Sequence, residues 1–142
     1  MQYSNFNSIG RPISKLGFGL MRLPKLNDKE ETIDREEAQK LIDYAIKSGV
    51  NYFDTAYLYG NGSGSNERAL GEIIEKLNCR ENIFISTKMN RMVIHSLDDM
   101  EDMFNNQLEN LRTSYIDYYF LHNIISYNDV LKLVDCGLFD FI

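Results

Sequence analysis

Four short apolar runs recur along the chain at nearly constant spacing. They begin near Leu16, Asn51, Ile83 and Ile116, at intervals of 35, 32 and 33 residues. Each interval holds one segment whose apolar residues repeat at helical period. Alternating strand and helix at about 30 residues per unit is the mark of βαβ units, whose strands lie parallel in one sheet.

The helices carry local signals of their own. The first is expected from about Arg35 to Ser48. Asp34 stands at its N-cap, Glu37 follows three residues on, and Gly49 lies just past its end. Its apolar stripe is Ala38, Leu41, Ile42, Ala45 and Ile46. The second starts after Ser65 or Asn66, presents Ala69, Leu70, Ile73, Ile74 and Leu77, and ends at Asn78. The third is capped by Ser96, with Asp99 three residues later, and presents Met100, Met103, Phe104, Leu108 and Leu111. A shorter fourth covers roughly Asn128 to Asp135, before Gly137. Ahead of the first strand, Tyr3 to Ile13 reads as a β-hairpin turning at Ser8-Ile9-Gly10, and Leu23 to Thr32 as a polar loop.

Composition narrows the class without changing this picture. The chain has 142 residues, 44% hydrophobic and 25% charged, enough for one globular core. Net charge is −6, and Lys and Arg are scattered, so no basic patch is offered to nucleic acid. No apolar run reaches the length of a membrane span, and Met1 to Gly10 lacks the apolar core of a secretory signal. Cys79 and Cys136 stand far apart and fit no metal-ligand spacing, which suggests reduced thiols in a cytoplasmic protein. No metal site is expected.

Function in parallel α/β folds gathers at the C-terminal ends of the strands. Here strand two, Asn51-Tyr52-Phe53-Asp54, ends on a carboxylate. Strand three, Ile83 to Lys88, ends on an ammonium. Strand four, Ile116 to His122, ends on an imidazole, and Tyr59 lies in the loop after Asp54. Side chains alternate across a sheet. Asp54, Lys88 and His122 are therefore expected on one face, at equivalent levels, with Tyr52, Phe84, Ser86, Tyr118 and Phe120 behind them. The chemistry of such a group is coherent. An ammonium near a phenol favours phenolate, and a carboxylate keeps the ammonium charged and oriented. A Tyr tuned in this way can donate a proton to a carbonyl oxygen, and a His can hydrogen-bond the same oxygen.

The runs Leu16-Gly17-Phe18-Gly19-Leu20-Met21-Arg22-Leu23-Pro24, Asn51 to Gly60 (Asn-Tyr-Phe-Asp-Thr-Ala-Tyr-Leu-Tyr-Gly), Ser86-Thr87-Lys88-Met89 and Tyr119-Phe120-Leu121-His122-Asn123 resemble the aldo-keto reductase family in order and spacing. The nearest resemblance is to a clostridial-type subfamily that often carries a ferredoxin-like iron–sulfur tail. The Cys clusters of such a tail are absent here. The resemblance implies a (β/α)8 TIM barrel, of which residues 1–142 supply about four β/α units preceded by the hairpin, as an N-terminal half. It implies NADPH-dependent reduction of a small-molecule aldehyde or ketone. Asp54, Tyr59, Lys88 and His122 match the family's catalytic tetrad: Tyr59 the general acid, Lys88 its partner, Asp54 the orienter of Lys88, His122 the contact to the substrate oxygen. Gly19, Leu20, Met21 and Asp54 fall where the family holds the nicotinamide.

The Gly60 to Ser65 loop lacks the Lys of a phosphate-binding loop and reads as a flexible connection. The final apolar stretch Leu138 to Ile142 suggests a chain cut short. A half-barrel alone is expected to have little activity, and either to self-associate or to pair with a C-terminal half. The alternatives are a non-catalytic, cofactor-binding regulatory subunit and an inert truncated product.

Overall fold

The computed structural model describes residues 1–5, 10–27 and 32–142. Strands β1 (Tyr3–Asn5) and β2 (Pro12–Ser14) pair antiparallel, as expected of the hairpin. Of its expected turn, Ser8 and Ile9 lie outside the described residues, and Gly10 adopts a positive φ of 72°.

The remaining strands form one parallel sheet in chain order: β3 (Phe18–Gly19), β4 (Tyr52–Asp54), β5 (Phe84–Asn90) and β6 (Tyr118–His122). Helices α1 (Arg35–Lys47), α2 (Ser65–Leu77) and α3 (Leu97–Leu111) connect them. After β6 come α4 (Tyr127–Asp135) and the short α5 (Leu138–Phe141). This is the α/β arrangement of a partial (β/α)8 barrel, with a sheet curved around an inner face and helices outside.

The caps form as the sequence indicates. Asp34 accepts from the Glu37 amide at 2.9 Å and Ser96 from the Asp99 amide at 3.2 Å. Asn78 ends α2 in the left-handed conformation, and Gly49 follows α1 at φ 89°. The outer core joins Leu20, Ile42, Phe53, Leu70, Ile74, Ile83, Ile85 and Leu111, and a second cluster gathers Met89, Met100, Met103, Leu133 and Leu138. Gly71 lets α2 meet α3. A Cβ there would fall inside contact distance of the Asn110 carbonyl oxygen and the Leu111 backbone.

Four expectations need correction. The first strand is only two residues long, and Leu16 is exposed, because the chain enters the sheet late from the hairpin. Leu41 is also exposed, at the edge of the α1 stripe. The third strand does not stop at Lys88 but runs two residues further, to Asn90. Nor do the polar strand ends lie at equivalent levels. Asp54 pairs with Ser86, Lys88 with Phe120 and Asn90 with His122. Each site residue therefore stands one pleat repeat further along its strand than its neighbour, a stagger of the sense needed when barrel strands tilt.

The N-terminal end of the sheet is closed by a polar hub. The Arg80 guanidinium donates to Thr113 Oγ1, the Ile83 and Tyr115 carbonyls and Asp117 Oδ2, at 2.8–3.1 Å, and stacks 3.9 Å over the Tyr115 ring. Asp117 Oδ2 also accepts from the Ile85 amide at 2.9 Å. Arg11, just before β2, binds the Glu81 carbonyl and lies 4.4 Å over the Phe84 ring. Phe84 is thereby only 1% exposed, whereas Phe120 on the same inner face is 45% exposed.

Candidate active site

At the opposite end of the sheet, three of the expected residues converge directly. Asp54 closes β4, and Lys88 lies on β5 with its side chain on the same inner face. The Lys88 ammonium donates to Asp54 Oδ1 at 2.8 Å, to Asp54 Oδ2 at 2.9 Å and to the Thr55 carbonyl at 2.6 Å. All three of its protons are thus committed. The same ammonium stands 4.8 Å from the centre of the Tyr59 ring. Lys88 therefore bridges Asp54 and Tyr59, and its contact to Tyr59 is with the ring face.

Tyr59 is placed by its loop. The chain turns at 56–59, with the Tyr59 amide on the Ala56 carbonyl at 3.0 Å. Gly60 follows at φ 78°, where a Cβ would collide with Ser65 Oγ and Asn66 Oδ1. Asn66, buried in the first turn of α2, donates to the Leu20 carbonyl at 2.5 Å and so ties the loop to the end of β3.

His122, last residue of β6, packs edge-on against Tyr59, with ring centres 5.8 Å apart and planes at 86°. Its Nδ1 is buried and has no partner among the described residues. Burial, reinforced by the Lys88 charge and opposed by Asp54, lowers the imidazole below its usual range. At neutral pH His122 is therefore the neutral ring.

The four residues taken from the first strand and its neighbour have distinct surroundings. Gly19 is exposed, and a Cβ there would meet nothing within 4 Å among the described residues. The Met21 side chain is largely exposed and, with Tyr59, lines a cavity of about 360 Å³ that also touches Arg22, Leu23, Leu58 and Asn66. The Leu20 side chain is fully buried in the outer core, and both of its backbone polar groups are engaged, with Asp54 and Asn66. Asp54 is engaged by Lys88 and Ser86.

Two contributors lie outside the four expected site residues. Ser86 donates to Asp54 Oδ1 at 2.7 Å, and the Thr55 carbonyl receives the Lys88 ammonium. Strand parity already sets Ser86 on the face of Lys88 two residues away. The carbonyl leaves no mark in the sequence. Among the described residues no group of His, Cys, Asp and Glu could hold a metal ion, and no helix is long and apolar enough to cross a membrane.

Residues 15–137 match the family model described as aldo/keto reductase family. The chain belongs to the aldo/keto reductase family. Among its relatives is the 4-dihydromethyl-trisporate dehydrogenase of Mucor mucedo, 32% identical over 124 residues, covering 84% of this chain and 34% of that protein. Another is an aryl-alcohol dehydrogenase [NADP(+)] of Phanerodontia chrysosporium, 30% identical over 107 residues, covering 64% of this chain and 27% of its own. The fold is similar throughout to that of aldo-keto reductase AKR11C1 from Bacillus halodurans in its holo form, with a TM-score of 0.71 and 25% identity, covering all of this chain and 48% of that one. The chain thus spans about a third of the curated relatives' length.

Proposed function

We propose that this chain carries the proton-handling site of a nicotinamide-dependent carbonyl reductase, with Tyr59 as the acid that protonates the carbonyl oxygen. The observation that carries the reading is the contact of Lys88 with Asp54 on one side and the Tyr59 ring on the other, beside a neutral His122.

Each residue has a defined task. Asp54 and the Thr55 carbonyl hold the ammonium of Lys88 in place. That fixed positive charge stands against the ring of the proposed acid, where charge develops in the transition state. His122 stays neutral, which suits hydrogen bonding to a carbonyl oxygen rather than ion pairing.

The residues present suit a nicotinamide. The open space at Gly19 lets a flat ring approach the backbone, and Met21 offers an exposed apolar side chain beside Tyr59. Gly19, Met21 and Asp54 would border the ring, while Leu20 would act only by shaping the backbone beneath it. When bound, the reduced nicotinamide supplies the hydride. The NADP(+)-named aryl-alcohol dehydrogenase of Phanerodontia favours the phosphorylated form. Substrates are small aldehydes or ketones.

The inner face of the sheet bears on how this chain works. Tyr52, Tyr118 and the exposed Phe120 line an apolar hollow of about 610 Å³ with Ile13 and Gly17. Another half-barrel would cover it, whether a second copy or a C-terminal half, and cofactor affinity would rise on pairing.

The test is carbonyl-dependent oxidation of NADPH by the purified chain, alone and mixed with a separately made C-terminal half-barrel. Tyr59→Phe removes the proton donor and little volume. Turnover should fall by about 10²–10⁴, the usual worth of a positioned acid, with NADPH binding kept. Undiminished turnover in Tyr59→Phe would remove Tyr59 from the mechanism. NADPH binding with no turnover under any of these conditions would favour a non-catalytic cofactor-binding role.

A further inference from the structure

Behind Lys88, on the side of the sheet away from the site, lies a second polar cluster that the four site residues do not include. Glu67, in the first turn of α2, is completely buried. Its Oε1 accepts from Thr87 Oγ1 at 2.6 Å and from Gln107 Nε2 at 2.7 Å, and its Oε2 from Asn110 Nδ2 at 3.3 Å. No basic side chain forms an ion pair with it among the described residues. A carboxylate kept dry on hydrogen bonds alone is costly, and burial raises its pKa despite those donors. Such a group calls for an explanation beyond packing.

The connections converge on Lys88. Thr87 precedes it on β5 and points to the helix side, as alternation requires. Gln107 Nε2 also reaches the Lys88 carbonyl at 3.2 Å and Thr87 Oγ1 at 3.2 Å, while its Oε1 accepts from the Tyr119 hydroxyl at 2.6 Å. One carboxylate thus ties α2, α3, β5 and, through Gln107, β6 at the level of Lys88. Gly64, at φ 76°, leaves the space. A Cβ there would lie 3.0 Å from Glu67 Oε2 and inside contact distance of Asn110 Nδ2.

We propose that Glu67, through Thr87 and Gln107, is a positioning group that fixes the backbone of β5 at Lys88, so that the ammonium stays lodged between Asp54 and the Tyr59 ring. The reasoning is one of leverage. The Lys88 side chain has four rotatable bonds, yet its nitrogen must meet three acceptors within 2.6–2.9 Å. A flexible side chain holds such a geometry best when its Cα does not move. Glu67 supplies that anchor from outside the sheet and touches none of the reacting atoms. Its catalytic consequence rests on the reading of Lys88 above; its effect on the geometry of Lys88 does not.

The experiment observes Lys88 itself. In a sample carrying 15N-labelled lysine, the Lys88 ammonium resonance is identified by its loss in Lys88→Met. Thr87→Val removes the hydroxyl while keeping the shape, Thr87→Ser restores it, and Glu67→Gln replaces the carboxylate. In Thr87→Val and Glu67→Gln the resonance should shift, and its protons should exchange about tenfold faster, as expected when a hydrogen bond to a charged group weakens. Thr87→Ser should return both toward the parent values. A Lys88 signal unchanged in both Thr87→Val and Glu67→Gln, whatever happens to their melting temperatures, would overturn the proposal. So would the same shift in Thr87→Ser as in Thr87→Val. Carbonyl reduction provides the separate arm: kcat should fall on the order of ten- to a hundredfold with KM little changed, as for a misplaced catalytic group. If Lys88→Met retains full turnover, the catalytic reading of Lys88 fails while the positioning result stands.

Discussion

The two ends of the parallel sheet each hold an ion pair, and the pairs differ in what they leave unused. At the N-terminal end, Arg80 spends its donors on Asp117, Thr113 and two carbonyls, while Asp117 also takes the Ile85 amide. The hairpin and Arg11 cover the inner face beside them. At the C-terminal end, Lys88 and Asp54 are equally well bonded. Their neighbours are not: among the described residues His122 Nδ1 is buried without a partner, and the Tyr59 ring is held by ring contacts with an imidazole set edge-on and an ammonium over its face. A saturated network holds a fold together. On the proposed reading, a fixed charge beside a phenol held only by ring contacts is prepared for a ligand. Under the proposed function, stability resides at one end and chemistry at the other.

The largest stability effect should come from breaking the closed end. Asp117→Ala strands the Arg80 guanidinium, 14% exposed, and the Ile85 amide. Leaving a buried charge unpaired costs about 3–5 kcal/mol, readable as a fall in the denaturant midpoint. A loss below about 1 kcal/mol would place this pair with ordinary surface ion pairs and blur the contrast between the ends. Next comes the α2–α3 contact. Gly71→Ala forces a methyl group against the α3 backbone and should cost about 1–3 kcal/mol, as overpacking does. Smaller still are the caps. Asp34→Ala and Ser96→Ala each remove a side-chain acceptor from a helix start, worth about 1 kcal/mol apiece in urea unfolding.

The gentlest probe is pH. The His122 imidazole is held below its ordinary 6.5, chiefly by burial and secondly by Lys88. On acidification the unfolded chain takes up this proton before the folded one does. The His122 contribution to stability is therefore constant above about pH 6.5 and declines as pH falls through the lower folded value. Melting temperatures followed downward from neutral pH should drop less in His122→Asn than in the parent. Parallel curves would show that His122 is not held neutral by the fold.

Much of the fold and of the open end was legible in the sequence, for identifiable reasons. Asp34, Ser96 and Asn78 act on backbone groups within four residues, so their roles as helix ends need no tertiary information. Asp54, Lys88 and His122 share a face because parity within a strand is local. Their levels are not local. The stagger that pairs Asp54 with Ser86 and Asn90 with His122 is set by how strands tilt in a curved sheet, and level strand ends were the wrong expectation. The closed end was missed altogether, since Arg80 and Asp117 are charged residues beside turns and meet across 37 positions. Arg11 over Phe84 was missed for the same reason, since the two stand far apart in the sequence. Glu67 left a fainter trace. It lies four residues before Gly71 and seven before Ile74, on the face of α2 that turns inward, where a charge needs a reason.

The most direct measurement compares Tyr59→Phe and Asp117→Ala in the same two assays, thermal unfolding and carbonyl-dependent NADPH oxidation with a C-terminal half-barrel supplied, under conditions where both variants are folded and the parent turns over. If chemistry resides at one end and stability at the other, Tyr59→Phe loses turnover by about 10²–10⁴ at an almost unchanged melting temperature. Asp117→Ala melts well below the parent and, per folded molecule, turns over nearly as fast. Equal turnover in Tyr59→Phe and the parent, or a loss of turnover in folded Asp117→Ala as deep as in Tyr59→Phe, would contradict that division.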